Sequence, residues 1–164
     1  MKARLSPLVA AIALTLAATS CDSLDDDRIP AAAVNIAFNT VADWNIYGVP
    51  AALDWKYFIP EKHEPSGFYY TASTYCGFGG VLLVGDVMGQ PKAYDLACPV
   101  ECKRSVRVRI NAKTNLAECP ECHSTYDVFS LPGHPVSGPA ADHGYGLRAY
   151  HVGTGRTVYM LISY

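Results

Sequence analysis

The chain is expected to fold as an all-β antiparallel domain, and three observations predict this. After residue 30 no stretch keeps a helical period over a useful length, whereas short apolar or alternating runs recur. Chain breakers are frequent, with 13 glycines and 11 prolines among 164 residues. Half of the residues are apolar and 17% are charged, fewer than the roughly one quarter of an ordinary domain. That composition excludes a disordered chain and supplies enough apolar mass for one core. Many short strands packed as a sandwich or barrel satisfy all three.

The first element is an export signal over residues 1–20. Lys2 and Arg4 form a positive start, Leu5 to Leu16 an apolar stretch, and Ala17, Ala18, Thr19 and Ser20 a small-residue run. The apolar stretch is short for a bilayer span, which takes about 20 residues. Ala18-Thr19-Ser20-Cys21 resembles a bacterial lipobox. That resemblance implies cleavage before Cys21 and lipidation of its thiol, with attachment to a membrane of the bacterial cell envelope on the periplasmic side or at the cell surface. Residues 21–30 then read as a polar tether, and its acidic Asp25-Asp26-Asp27 run resembles the sorting signals of surface lipoproteins.

The folded domain is expected over residues 31–164. Its candidate strands are Val34 to Phe38, Leu53 to Ile59, Phe68 to Tyr75 and Val81 to Val84. Ser105 to Asn111 alternates, so Val106, Val108 and Ile110 should face inward and Arg107, Arg109 and Asn111 outward. Leu147 to Val152 and Thr157 to Ser163 flank Gly153-Thr154-Gly155, a hairpin signal. Gly77-Phe78-Gly79-Gly80 lacks the lysine and following helix of a phosphate loop. It is read as close backbone packing at a strand start. The formal net charge is −2, and acids and bases nearly balance in the domain. No basic face is implied, and nucleic acid is excluded as a partner.

The cysteines carry the functional signal. Cys98-Pro99-Val100-Glu101-Cys102 is followed, sixteen residues on, by Cys119-Pro120-Glu121-Cys122. Two cysteine pairs in tight proline-containing loops, joined by a hairpin, can bring four sulfurs to one point. Four thiolates suit Zn²⁺ or an iron–sulfur cluster, because soft sulfur ligands favour those metals. Outside the cytoplasm the same cysteines can instead form two disulfides. Cys76 stands apart and reads as a buried, inert thiol. His63, His134, His143 and His151 have no paired metal spacing, whereas His123 adjoins Cys122 and is a candidate substitute ligand.

The context of these loops resembles the Rieske iron–sulfur family. The residues carrying the resemblance are Tyr94 to Pro99, Cys119 to Asp127, the Pro135 to Ala140 loop and the Leu147 to Val152 strand. It covers roughly residues 34–164 and is most specific at 94–140. It implies an antiparallel β-sandwich with a small subdomain of cluster-binding loops. It further implies a [2Fe-2S] cluster and single-electron transfer to a redox partner protein. The domain alone shows no substrate site and is not expected to be an enzyme. The family pattern has C-x-H in the first loop and C-x2-H in the second. Here Val100 stands at the first histidine, Cys102 lies two residues on, and Cys122 stands at the second histidine. The implied ligand set is therefore all cysteine: Cys98, Cys102, Cys119 and Cys122. Ser124 is implied as a hydrogen-bond donor to a bridging sulfide and Tyr126 as a donor to a cysteine sulfur, with Gly138-Pro139 covering the site. The alternative is an envelope structural or binding module whose site holds structural zinc or disulfides and no cluster.

Overall fold

The structure, a computed structural model, describes residues 24–164. The export signal and Cys21 lie outside the described residues. Eleven strands form two antiparallel sheets. The larger sheet contains β1 (Val34–Phe38), β2 (Trp55–Phe58), β3 (Tyr75–Cys76), β4 (Val81–Gly85), β5 (Pro91–Asp95), β10 (Ala149–Gly153) and β11 (Met160–Ser163). Its order is β2-β4-β5-β10-β11-β1-β3. The smaller sheet runs in sequence order through β6 (Arg109–Asn111), β7 (Leu116–Glu118), β8 (Thr125–Asp127) and β9 (His134–Ser137). The all-β antiparallel architecture read from the sequence is the one observed, with one cysteine loop joining the large sheet to the small one and the other within the small sheet.

Strand β4 explains how the layers stack. All five of its residues are buried, and a continuous apolar run is what a strand covered on both faces requires. Leu82 and Val84 point into a core shared with the small sheet, together with Tyr94, Leu96, Val106, Val108, Ala117, Tyr126 and Leu147. Val81 and Leu83 point the other way, into a core that the large sheet closes with Ile36, Phe38, Phe58 and Trp44. Trp44 comes from α1 (Val41–Tyr47). The Thr40 hydroxyl accepts from the Asp43 amide, and the Asp43 carboxylate accepts from the Thr40 amide. This capping box holds the short helix against the sheet.

Two expectations are corrected. Phe68 to Tyr75 is not a strand; only Tyr75–Cys76 pairs, with β1. Phe68 and Tyr70 of that run pack against the second core instead, Phe68 lying edge-on to Phe58 and Tyr47 at 5.2 and 5.4 Å between ring centroids, while Tyr69 and Tyr75 are exposed. Thr71 to Thr74 then closes a turn, the Thr74 amide donating to the Thr71 carbonyl. Nor is the acidic segment a free tether along its whole length. The Asp25 amide donates to the Gly144 carbonyl and the Gly146 amide to the Asp25 carbonyl, and Ile29 is fully buried. The buried Arg148 explains the docking. Its Nε donates to the Ile29 carbonyl at 2.8 Å and its Nη2 to the Asp27 carbonyl at 3.1 Å. Among the described residues no helix is long and apolar enough to cross a membrane.

Candidate metal centre

The first cysteine loop leaves β5 through Asp95, which is fully buried. Its carboxylate accepts from the amides of Phe78, Gly79 and Ala97 and from the Tyr150 hydroxyl. Burial pushes its pKa up, and these four donors oppose that shift. Gly79 is confined here: a Cβ would lie 2.6 Å from the Ala97 amide nitrogen. The Gly-rich stretch is thus close backbone packing beside the loop, as read from the sequence. On the other side, the Cys98 amide donates to the Val106 carbonyl and the Val108 amide to the Leu96 carbonyl. Both Val106 and Val108 point inward.

The second loop joins β7 to β8. The Cys119 amide donates to the Ser124 carbonyl, and the His123 amide returns to the Cys119 carbonyl at 3.1 Å. The first loop repeats this construction. There the Cys102 amide donates to the Cys98 carbonyl at 2.8 Å. Cys102 and His123 also share a left-handed backbone, with φ of 50° and 56°. The two loops therefore correspond through Cys98 with Cys119 and Cys102 with His123. Cys122 lies one position earlier in its loop, where the first loop has Glu101.

That one-residue offset decides which sulfurs meet. Cys98, Cys119 and Cys122 have sulfurs within 4.8 Å of one another, with Cys98 Sγ 3.6 Å from Cys122 Sγ. Cys102 turns outward, its sulfur 3.0 Å from the Pro99 carbonyl and 3.6 Å from the Arg28 carbonyl. Of the four cysteines read from the sequence, three converge and the fourth lies at the rim. All five described cysteines are free thiols. His123 is exposed, and its Nδ1 faces Glu118 at 3.8 Å. It stands outside the sulfur cluster.

The surroundings act unequally on the three sulfurs. Burial raises the Cys98 thiol above its ordinary value, while the Tyr126 hydroxyl and the loop amides of Glu101 and Val100 work against that rise. Burial pushes the Cys119 thiol up to about 12, opposed by the amides of Cys122 and Glu121. At Cys122 burial is outweighed by the Ser124 hydroxyl and amide and by the neighbouring thiols, and its pKa falls below the ordinary thiol value. The Tyr126 hydroxyl lies 3.5 Å from Cys98 Sγ, and the Cys122 thiol donates to Ser124 Oγ at 3.2 Å. Ser124 Oγ also accepts from the amide of Ala140, in the first turn of the short helix Pro139–His143. Burial and the adjoining thiols push the Tyr126 pKa up. Three soft donors, apolar walls and aimed amides fit a thiophilic metal.

Other candidates fall away from this centre. A cleft of about 430 Å³ is lined by Asn35, Asn39, Asp43, Tyr47 and Tyr69. Its polar groups are used internally: Asn35 donates to the Ser73 carbonyl, Tyr47 to the Gly67 carbonyl, and Asp43 caps α1. Burial pushes the Cys76 thiol up to about 12, in keeping with an inert side chain. His143 stacks on Tyr145 at 5.1 Å. What sequence reasoning missed is the approach of Arg28 to the first loop and the Asp95 network behind it. No spacing announces the first, whereas a lone acid just before the Ala97-Cys98 step was a signal for the second.

No family model matches the chain, and no curated protein matches it. Among solved structures, the chain is similar to the "Ferredoxin of carbazole 1,9a-dioxygenase from Nocardioides aromaticivorans IC177". Identity is 16%, with 79% of this chain and 96% of that chain covered and a TM-score of 0.40.

Proposed function

We propose that this protein is a Rieske-like single-electron carrier that holds iron on the thiolates of Cys98, Cys102, Cys119 and Cys122 as a [2Fe-2S] cluster. The observation that carries the reading is the convergence of Cys98, Cys119 and Cys122, from two loops of one construction, beneath the Tyr126 hydroxyl. When bound, the cluster supplies a site that gains and loses one electron. The protein supplies the rest. Cys98 and Cys119 are fully buried and form the inner edge, while Cys122 and Cys102 are half-buried and form the outer edge. The loop amides aimed at Cys98 and Cys119 stabilise negative sulfur. Cys102 completes the set by turning its side chain from the Pro99 carbonyl.

Four thiolates should place the potential toward the plant-ferredoxin value of about −400 mV, well below histidine-ligated centres. With no histidine ligand, that potential should not follow pH near neutrality. The outer edge offers the approach for a redox partner protein. Cys21, once lipidated, would hold the protein on a membrane of the bacterial cell envelope; loss of fatty-acid labelling in Cys21→Ala tests that attachment.

One measurement favours a second reading. Sulfurs within 4.8 Å of one another approach the ~3.8 Å edge of a tetrahedron around one ion at about 2.3 Å from each sulfur. A structural zinc in an envelope module fits that spacing. Anaerobic expression of the full chain, with iron, sulfide and zinc assayed beside the visible spectrum, separates the two. Two irons and two sulfides per chain support the carrier. Stoichiometric zinc in a colourless protein replaces it with the structural module, and metal-free disulfides sink both metal readings.

A further inference from the structure

The segment before β1 reaches the cysteine site. Arg28 Nε donates to the Pro99 carbonyl at 3.3 Å, and its Nη2 lies 3.9 Å from Cys102 Sγ. The same guanidinium sits 4.1 Å above the Tyr145 ring. The segment is itself fixed, because Arg148 grips the carbonyls on either side of Arg28, those of Asp27 and Ile29. Of the other cations near the loops, Arg104 stacks over the Phe78 ring at 4.8 Å and the rest are paired. Lys103 pairs with Glu101 and Glu121, Arg107 with Glu61 and Arg109 with Glu64. Arg28 forms no ion pair among the described residues.

We propose that Arg28 is a positioning residue of the metal centre, fixing the Cys98 to Cys102 loop and setting a positive charge against its thiolates. The inference rests on the cysteines being ligands, as argued above. Four thiolates carry more negative charge than the bound metal cancels, and reduction adds one more electron. A guanidinium at the rim favours the more negative state, so it raises the potential. It also tightens metal binding, because thiolates replace thiols when the metal enters. Arg28 is exposed, so the effect should weaken as salt rises.

The test is the midpoint potential of the purified iron-loaded protein and of its Arg28→Gln and Arg28→Lys variants. Arg28→Gln should shift the equilibrium about tenfold toward the oxidised form, about 59 mV lower for one electron. Arg28→Lys keeps the charge without the planar fork and should recover part of that shift. A contact that only braces the loop would lower the melting temperature and leave the potential in place. A shift below twofold in Arg28→Gln overturns the proposal. Should the protein hold zinc, the electron-carrier reading fails while Arg28 is still decided. Arg28→Gln should then lose zinc to a chelator about tenfold more readily, and equal loss overturns its role. A protein that binds neither metal overturns both readings.

Discussion

The Tyr126 hydroxyl, on β8 of the small sheet, lies 3.5 Å from the sulfur of Cys98, in the loop that leaves β5 of the large sheet. Both residues are fully buried, so no solvent replaces this contact when it is removed. A hydroxyl hydrogen aimed at a thiolate stabilises the more negative redox state. Tyr126→Phe should therefore lower the midpoint potential of the iron-loaded protein by about 59 mV, a tenfold shift. Folding stability should change by only about 1 kcal/mol, the net worth of one hydrogen bond. Parallel potentiometry and thermal melts check both. An unchanged potential would assign the hydroxyl to packing alone.

Metal uptake should depend steeply on pH. Burial holds the Cys98 thiol above its ordinary value and pushes Cys119 up to about 12. Both carry protons at neutral pH and must release them to bind metal. Cys122 is shifted the other way and contributes less. These two displaced protons alone make the apparent zinc affinity of the metal-free protein rise by about a hundredfold or more per pH unit between pH 6 and 8. Folding stability follows the opposite sense. Thiols whose folded pKa lies above the unfolded value of about 8.5 stabilise the fold below that pH. That contribution is lost as pH rises toward 12. Chelator competition at three pH values measures the first effect, and melts of the metal-free protein above pH 9 the second. A flat affinity profile would mean that the thiolates are already formed.

Gly138, between β9 and the short helix Pro139–His143, packs against the serine beside the sulfur cluster. Its φ is +75°, and a Cβ there would lie 3.0 Å from the Ser124 Cα and 3.1 Å from its Oγ. Gly138→Ala should cost about 1–3 kcal/mol, combining a left-handed backbone with an overpacked contact. The strain falls on the serine whose oxygen faces Cys122 and accepts from Ala140. The variant should therefore change the visible spectrum or metal affinity as well as the melting temperature. A lower melting temperature with an unaltered metal site would show that Ser124 yields without disturbing Cys122.

The sheets and the cysteine pairs were legible because local patterns specify them. Val81 to Val84 is uniformly apolar and becomes a strand covered on both faces, and Val106 and Val108 point inward as their alternation requires. Phe68 to Tyr75 has strand-like composition, yet its Phe68 ring packs between Phe58 and Tyr47. Tertiary packing overrides propensity there. The four cysteines were visible as two pairs, but not their unequal roles. Cys102 turns outward because its loop is one residue longer between cysteines and puts it at the left-handed position that His123 holds in the other. Spacing alone does not show which member of a pair takes that position. The docking of Arg28 was hidden for a similar reason. Its cause is Arg148, which lies 120 residues away in a strand-like stretch and is buried by the segment it binds.

That docking makes the segment before β1 part of the fold, and Ile29 is the residue on which it turns. Its side chain is fully buried, and its carbonyl accepts from Arg148. Asp26, three residues earlier, is exposed. Ile29→Ala should destabilise the protein by about 2–4 kcal/mol, the cost of a cavity at a buried aliphatic site. Asp26→Ala should stay within about 0.5 kcal/mol, as an exposed substitution with no structural partner. Urea unfolding of the two variants beside the parent protein measures both. A solvated tether would leave the two variants equally silent, so a stable Ile29→Ala protein would return this segment to the linker its composition suggests. A large loss at Ile29 alone would fix the start of the folded domain before residue 31 and within reach of the first cysteine loop.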